Sequence, residues 1–389
     1  MDFADAQKPK MLMTASVASM IDLFNMNNIE ILQSMGYEVH VAANFQAGNI
    51  TSRERVSEFK EKLISLGIKV FDIPIPRNLS AVGSIIKSCR MFRKIYVENH
   101  YKLIHCHSPI GGVLARLCAR KIREKDGAEL IYTAHGFHFY KGAPLSCWLL
   151  YYPIERLCSL FTDLLITINQ EDFLFAKKHL RSKDTVYVQG VGVDLLKFSE
   201  IKGSPDKLRA ELGIPNDALS AITVGELNKN KNQKTIIKAI HKNNSDIHYI
   251  LAGFGREEQR LYKLSKKFGI AERVHFLGYR NDISALFCCV DLFCFPSFRE
   301  GLSLSLMEAM TSGLPILCSD IRGNRDLIVD GKGGFLCPPR DVSAFAERLK
   351  ILNNDPALRE SFGAFNAERA KFFSSDAVRT KMREIYKKI

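Results

Sequence analysis

Short apolar runs alternate with longer amphipathic stretches along the whole chain, and this alternation limits the possible folds more than any other feature of the sequence. Seven runs come first, at residues 11–15, 38–43, 68–73, 103–106, 130–133, 163–168 and 185–188. After a polar stretch containing Pro and Gly, residues 194–215, five more follow at 218–224, 248–252, 274–276, 291–295 and 315–318. Strands that alternate with helices at this spacing are typical of parallel sheets covered by helices on both faces. The sequence therefore predicts an α/β protein with two doubly wound, Rossmann-like domains that face a cleft.

Composition narrows the classes of function. The chain has 389 residues, and 55 Lys and Arg against 42 Asp and Glu give a formal net charge of +13. A cationic surface of this kind suits phosphorylated ligands, anionic membranes or nucleic acid. Ten cysteines without a recognisable secretory signal indicate reduced thiols and a cytoplasmic location. The triplet His105-Cys106-His107 is the best metal candidate, but it lacks further ligands at a suitable spacing, so no metal site is predicted.

One segment of the second half carries the strongest functional signal. Residues 295–310 read FPSFREGLSLSLMEAM, in which a strand ends, a polar loop follows and a helix capped by Ser303 begins. Gly301 would let the backbone approach a ligand, and the start of a helix offers free N–H groups to a diphosphate. Glu300 in the loop and Glu308 inside the helix can each accept hydrogen bonds from hydroxyl groups of one ligand. Two isolated glutamates would not distinguish a ligand site from an ordinary capped surface helix. The surrounding sequence is needed to choose between these two interpretations.

The surrounding sequence favours a ligand site, because residues 295–310 resemble the E-x7-E signature of the family 4 retaining glycosyltransferases of the GT-B fold. Other landmarks of that family occur in order: HSPIGG from His107, YTAHGFHF from Tyr132, TDLLITIN from Thr162, GVGVD from Gly190, VGELNKNKN from Val224 and AGFG from Ala252. The resemblance extends from about residue 11 to the end of the chain. The opening TASVASMIDLFNMNNIEIL and the HGFHF element are most similar to the capsular and exopolysaccharide subgroup, whose members extend lipid-linked oligosaccharides.

The resemblance implies roles for residues at matching positions. It makes His135 and Glu300 the catalytic residues, with His135 against the donor sugar. It assigns Glu308 to the ribose hydroxyls and Lys231 to the diphosphate. Donor or nucleotide binding is expected at Lys231, Gly301, Leu302, Ser303, Glu308, Gly225 and Gly253, and a loop of the first domain at the cleft is expected to contain Ser16 and Ser19.

Two positions depart from the family pattern. The family usually has an arginine two residues after the valine of the VG element, where this chain has Glu226. An anion cannot bind a diphosphate, so either Lys231 acts alone or Lys229 substitutes. The expected first-domain loop, residues 14–20, lacks the paired glycines often found there, although its small residues still permit a close approach of a ligand.

The resemblance also implies the reaction and the domain organisation. We expect a retaining transfer of a sugar, by front-face attack, from a nucleotide-sugar donor, most simply a UDP-sugar, to an undecaprenyl-diphosphate-linked saccharide during surface polysaccharide synthesis. No cofactor and no metal are expected. Residues 1–195 would bind the acceptor, residues 196–370 the donor, and a final helix within residues 371–389 would cross back onto the first domain.

The sequence also bears on the location of the protein and on alternative functions. Basic residues mixed with apolar ones at 87–94 and 116–125, together with the cluster at 148–152, are either membrane-docking surfaces or ordinary helix faces. Docking would make the protein peripheral on the cytoplasmic face of the inner membrane. A nucleotide-sugar 2-epimerase of related fold is the alternative enzyme, and it would form product from the donor alone. A nucleic-acid-binding protein is disfavoured, because the chain has no localised basic block with interleaved aromatic residues.

Overall fold

The computed structural model describes residues 8–49, 51–78, 80–199 and 204–389. The chain divides into two compact units: Met1–Val191 with Val378–Ile389, and Gly192–Ala377. Each unit is built on a parallel sheet flanked by helices, which confirms the predicted α/β class. The unit changes after Val191 and after Ala377, whereas the sequence predicted domain limits at residues 195 and 370.

The first unit contains, within the described ranges, a parallel sheet of seven strands in the order β3-β2-β1-β4-β5-β6-β7. Its strands are β1 (Lys10–Val17), β2 (Glu38–Asn44), β3 (Lys69–Asp72), β4 (Leu103–His107), β5 (Glu129–Ala134), β6 (Leu164–Thr167) and β7 (Asp184–Tyr187). Its helices include α1 (Ala18–Phe24), α2 (Met26–Ser34), α3 (Arg53–Ser65), α4 (Val82–Asn99), α5 (Pro109–Asp126), α6 (Leu145–Ser159) and α7 (Gln170–His179). The strand order reverses direction between β1 and β4, which is where ligands collect in sheets of this type.

The second unit has a parallel sheet in the order β10-β9-β8-β11-β12-β13, with six strands in the described part of the chain. Its elements are α8 (Leu195–Ser199), α9 (Pro205–Leu212), β8 (Ser220–Val224), α10 (Lys234–Asn243), β9 (His248–Ala252), α11 (Glu258–Lys267), β10 (Val274–Gly278), α12 (Ile283–Phe287), β11 (Leu292–Phe295), α13 (Leu304–Thr311), β12 (Ile316–Ser319), α14 (Arg322–Leu327), β13 (Gly334–Cys337), α15 (Val342–Asn354) and α16 (Pro356–Ala370). The order again reverses between the first and fourth strands, β8 and β11, and the loops after these two strands carry the predicted donor residues Gly225, Lys231, Gly301, Leu302 and Ser303.

The final helix, α17 (Ser375–Lys387), contributes most of its length to the first unit. Val378, Met382, Ile385 and Tyr386 recur at helical spacing and are buried in the core that contains Met11 of β1. The first unit is therefore assembled from two stretches that are distant in sequence.

The structure corrects two expectations about irregular segments. The expected loop over residues 14–20 does not exist, because β1 continues to Val17 and α1 begins at the next residue. The expected polar connection over 194–215 contains the helices α8 and α9. Pro205 in the first turn of α9 and Gly213 after its end, with φ of 63°, are ordinary start and stop signals of a helix.

No helix in the described ranges combines the length and the apolar surface that spanning a membrane requires.

Candidate functional site

In the second unit, an acidic side chain in the loop after β11 lies beside a basic side chain from the loop after β8. Nζ of Lys231 lies 2.9 Å from Oε1 of Glu300, and the same ammonium lies 4.5 Å from the ring centroid of Phe295. The loop ends at Ser303, whose hydroxyl accepts a hydrogen bond from the N–H of Leu306 and so caps α13. Two segments separated by about seventy residues thus place opposite charges beside a helix start.

Glycines at the ends of β8 and β9 allow the backbone to pack closely beside this pair. Gly225 and Gly253 have φ of 142° and 147°, in the region that side chains rarely adopt. A Cβ atom on Gly253 would lie 2.0 Å from the carbonyl oxygen of Gly225, and one on Gly225 would lie 3.5 Å from Cε of Lys231. The predicted residues Gly225, Gly253, Lys231 and Glu300 therefore all follow strand ends of one sheet, which is the edge where parallel sheets bind ligands.

Glu308 lies in the second turn of α13, and its surroundings change its acid–base behaviour. Burial raises the pKa of this carboxyl from 4.5 to about 7, and the positive charge of Lys197 in α8 opposes the shift. In the described part of the chain no residue forms a hydrogen bond with the carboxyl. A half-buried carboxyl without a partner is suited to binding hydroxyl groups of a ligand.

Three side chains that hold the loop were not singled out from the sequence. Nδ2 of Asn230 donates to the carbonyl oxygen of the residue before Glu300 at 2.9 Å. Nδ2 of Asn232, whose φ is 57°, donates to two proline carbonyl oxygens at 2.9 and 3.0 Å. Nε of Arg322 donates to the carbonyl oxygen of Glu300 itself at 3.2 Å. The two asparagines belong to VGELNKNKN, where an asparagine tolerant of positive φ was the available signal.

Glu226 occupies the position of the usual arginine without contacting Lys231. Its side chain is exposed, and its carbonyl oxygen accepts a hydrogen bond from Nε2 of Gln233 at 3.0 Å. Lys229 is exposed as well, whereas Lys231 is half-buried beside Glu300. Of the two candidate cations, the structure therefore brings Lys231 to the acidic loop.

His135 follows β5 in the first unit and adjoins a second histidine. Its Nε2 lies 3.1 Å from Nδ1 of His107, and its ring centroid lies 6.2 Å from that of Phe24. Burial lowers the pKa of His135 to about 4 and the pKa of His107 well below its ordinary value. Both rings line a small cavity of about 30 Å³, together with Asn25 and Arg379. At neutral pH both imidazoles are therefore uncharged hydrogen-bonding groups.

The serines expected in a loop instead hold the β1–α1 junction. Oγ of Ser16 accepts hydrogen bonds from the N–H of Gly111 at 2.9 Å and from Oγ of Ser108 at 2.7 Å. Ser19 is buried in α1, and its N–H donates to Oδ1 of Asn49 at 2.9 Å. Both serines also line a cavity of about 340 Å³. The physical reason is that β1 and α1 bury both serines, and the Ser16 hydroxyl finds its partners at Ser108 and Gly111, so a buried polar residue here needs no loop.

The triplet His105-Cys106-His107, considered above as a metal candidate, already has hydrogen-bond partners within the protein. The two ring nitrogens of His105 lie 2.8 Å from the hydroxyls of Tyr386 and Thr133, and Sγ of Cys106 donates to the carbonyl oxygen of Ile131. Within the described ranges, no group of three or more His, Cys, Asp or Glu side chains has the arrangement of a metal site.

Two of the basic residues in the 116–125 stretch are not on a free surface. Arg116 is fully buried, donates to Glu155 at 2.5 Å and lies 3.9 Å from the ring centroid of Tyr132. Arg123 pairs with Asp163. The remaining basic side chains of α4 and α5 are exposed, so the docking hypothesis keeps only those.

Comparison with known proteins identifies the family. Residues 12–169 match the glycosyl transferase 4-like family model, and residues 204–369 match glycosyl transferases group 1. The chain is 36% identical to a Bacillus subtilis (strain 168) protein named as the glycosyltransferase EpsD, over 97% of this chain and 96% of that protein. It is 30% identical to the UDP-Gal:alpha-D-GlcNAc-diphosphoundecaprenol alpha-1,3-galactosyltransferase of Escherichia coli, over 75% of this chain and 76% of that enzyme. Among solved structures, Anabaena Alr3699/HepE in complex with UDP-glucose superposes with a TM-score of 0.77 at 20% identity, over 98% of this chain and all of that one. The chain therefore belongs to the family 4 glycosyltransferases of the GT-B fold.

Proposed function

We propose that this glycosyltransferase moves a hexose from a UDP-sugar to a lipid-linked saccharide, with retention of configuration, in surface polysaccharide synthesis. The observation that carries the proposal is the Lys231–Glu300 pair at the strand ends of the second unit, with the half-buried carboxyl of Glu308, to which no described residue is hydrogen-bonded, on the adjoining helix. The E. coli relative, which is named for a UDP-galactose donor and a diphosphoundecaprenol-linked acceptor, supports the choice of substrates.

The donor would bind to residues of the second unit. Glu308 would accept hydrogen bonds from the ribose hydroxyls, and Glu300 with the backbone of residues 301–303 would hold the sugar and the diphosphate. Lys231 would stabilise the charge that develops on the departing diphosphate. The start of α13 adds its N–H groups to that stabilisation, so we propose that no metal ion is required.

The chemistry that fits this arrangement is attack from the face on which the diphosphate leaves. The bond between the acceptor oxygen and the anomeric carbon forms while the bond from that carbon to the diphosphate oxygen breaks. The acceptor proton passes to the departing diphosphate. We assign no carboxylate as a covalent nucleophile.

The acceptor would bind to the first unit. The cavity of about 340 Å³ beside Ser16 and Ser19 offers hydroxyls and the side chain of Arg77. An apolar groove of about 240 Å³ between α4, α5 and α6 shares Ile110 and Tyr151 with that cavity. We propose that the saccharide of a lipid-linked acceptor would bind in the polar cavity and its apolar chain in the groove.

Such an acceptor would require contact with a membrane surface, for which α6 is the candidate. Leu145 and Leu149 are 72% and 70% exposed, and Lys87 and Arg90 on α4 are exposed as well. Flotation with anionic vesicles tests this contact. We expect the double variant Leu145→Ser/Leu149→Ser to lose most vesicle binding, and Leu174→Ser on α7, also 62% exposed, to retain it. Equal binding by both variants would exclude α6 as the contact.

Turnover with defined substrates tests the reaction itself. The purified chain is incubated with UDP-glucose, UDP-galactose or UDP-N-acetylglucosamine and a polyprenyl-diphosphate-linked saccharide, with and without EDTA, and the anomeric configuration of the product is determined by NMR. We expect Lys231→Ala to lower kcat roughly 10²-fold to 10³-fold, whereas the exposed Lys229→Ala changes it little. Unchanged turnover in Lys231→Ala would refute the assigned role, an inverted product would refute retention, and product from the donor alone would favour the 2-epimerase.

A further inference from the structure

Three side chains on neighbouring strands of the first unit form a hydrogen-bonded chain that ends at His135. Sδ of Met13 in β1 lies 3.2 Å from Nε2 of His107 in β4. Nδ1 of His107 lies 3.1 Å from Nε2 of His135, directly after β5. Met13 is 0% exposed and His107 is 1% exposed, whereas His135 is half-buried, so this hydrogen-bonded chain leads from the core to a partly accessible histidine.

The thioether determines where the protons of this chain lie. A methionine sulfur can accept a hydrogen bond but cannot donate one, so Nε2 of His107 must carry the hydrogen. A neutral imidazole carries only one such hydrogen, which leaves Nδ1 of His107 as an acceptor. Nε2 of His135 must then donate to it, and Nδ1 of His135 is left with a lone pair.

The alternative tautomer is unfavourable for electrostatic reasons. It would place the lone pair of Nε2 of His107 against the lone pairs of the sulfur at 3.2 Å, in a region without exposure to water. A doubly protonated His107 would donate from both ring nitrogens and leave a bare Nε2 on His135, but it would place a charge on a side chain that is only 1% exposed. Burial, which lowers the pKa of both histidines, disfavours that charged form as well.

The neighbouring histidine does not offer His107 another partner. The ring of His105 lies 4.2 Å from that of His107, centroid to centroid. Both nitrogens of His105 are already engaged by the hydroxyls of Tyr386 and Thr133. The described residues form no hydrogen bond with Nδ1 of His135, so this nitrogen remains available to a ligand.

We propose that Met13 and His107 are positioning residues that fix the tautomer of His135, so that its Nδ1 accepts a hydrogen bond from a substrate hydroxyl. The choice of a sugar hydroxyl rests on the proposed function. The consequence concerns specificity: the site selects sugars that carry a hydroxyl hydrogen at the contacting position. Analogues in which that group is deoxygenated or O-methylated cannot donate and are rejected.

The tautomer can be observed directly in the full-length protein. Nitrogen chemical shifts and two-bond couplings of ¹⁵N-labelled histidine distinguish a protonated ring nitrogen from a bare one, and the His135 signals are assigned by their loss in His135→Asn. We expect protonated Nε2 and bare Nδ1 at His135 at pH 7. Met13→Leu keeps most of the side-chain volume but removes the acceptor, and should give a mixture of tautomers. Met11→Leu, in the same strand and core cluster, should leave the signals unchanged.

Kinetics supply the second readout. One neutral hydrogen bond corresponds to roughly a twofold to tenfold effect, so kcat/KM for Met13→Leu should fall by that factor, and discrimination against a deoxy analogue should shrink by the same factor. Met11→Leu should alter neither. A protonated Nδ1 at His135 in the wild type, or equal effects of the two methionine variants, would overturn the inference. Because the NMR measurement needs no substrate, a wild type that transfers no sugar refutes the proposed function, while the tautomer is still decided.

Discussion

The raised pKa of Glu308 implies that a carboxyl placed for binding destabilises the unliganded protein. Its shift from 4.5 to about 7 corresponds to about 3 kcal/mol, at roughly 1.4 kcal/mol for each pKa unit. The unfolded chain releases this proton near pH 4.5, whereas the folded chain keeps it until about pH 7. The folded state therefore binds more protons across this window, so the contribution of Glu308 to stability falls as pH rises through it.

Replacing the carboxyl by its neutral isostere should remove this pH dependence. We expect Glu308→Gln to match the wild type near pH 4 and to exceed its free energy of unfolding by up to about 3 kcal/mol at pH 8. The same variant should bind UDP more weakly, because the amide is a poorer acceptor for the ribose hydroxyls. A gain in stability coupled to a loss of binding is the expected behaviour of a residue kept for function.

Urea unfolding between pH 4 and pH 8, with and without UDP, measures both effects. Glu360→Gln, at an exposed position on α16, is the matched control and should follow the wild type at every pH. If Glu308→Gln showed the wild-type dependence on pH, or were less stable at pH 8, the burial of this carboxyl would not cost what the structure indicates.

Three further predictions concern stability. Gly253→Ala should destabilise the protein by about 2 kcal/mol or more in urea unfolding, because the added methyl group would lie 2.0 Å from the carbonyl oxygen of Gly225. The control is Gly83→Ala in α4, where the methyl group would have no neighbour within 4 Å. This variant should stabilise the protein by roughly 0.5–1 kcal/mol. Arg116→Met should lower the free energy of unfolding by about 3–5 kcal/mol, because it leaves Glu155 buried and unpaired. The double variant Arg116→Met/Glu155→Leu should recover most of that loss. A double variant as unstable as the single one would contradict the ion-pair explanation. Since the folded pKa of His135, about 4, lies below its ordinary 6.5, stability should fall as pH drops through this interval, and His135→Asn should reduce that fall in acid unfolding monitored by fluorescence.

The fold was largely predictable because hydrophobic periodicity reports directly on buried parallel strands. The strand Gly334–Cys337 was not predicted in this way. It has only four residues, and it begins with Gly334, whose backbone packs against the carbonyl oxygen of Ile316 where another residue would place a side chain. The junction at Ser16 was misjudged for a related reason. Small polar residues suggest a loop unless the sequence also reveals the partners that satisfy them, and here those partners are about ninety residues away.

The sequence predicted which strand ends carry the candidate site, but it did not predict the protonation states and long-range contacts of the residues there. Parallel-strand logic and the family resemblance placed Lys231 and Glu300 at one edge of a sheet, and the structure brings them to 2.9 Å. The raised pKa of Glu308 was not predictable, because it depends on how deeply α13 is buried. The contact between Met13 and His107 joins residues 94 positions apart, and no local pattern reports on it.

The divided composition of the first unit affects how the protein can be synthesised. Val378–Ile389 supplies Tyr386 and three apolar side chains to a core whose other residues lie before Val191. A ribosome adding roughly 5–20 residues per second makes all of Gly192–Ala377 before these residues emerge. The amino-terminal portion of the chain therefore waits with an uncovered apolar face, on the order of ten seconds or longer. During that interval it is a natural client for chaperones, and rare codons late in the message would lengthen its exposure.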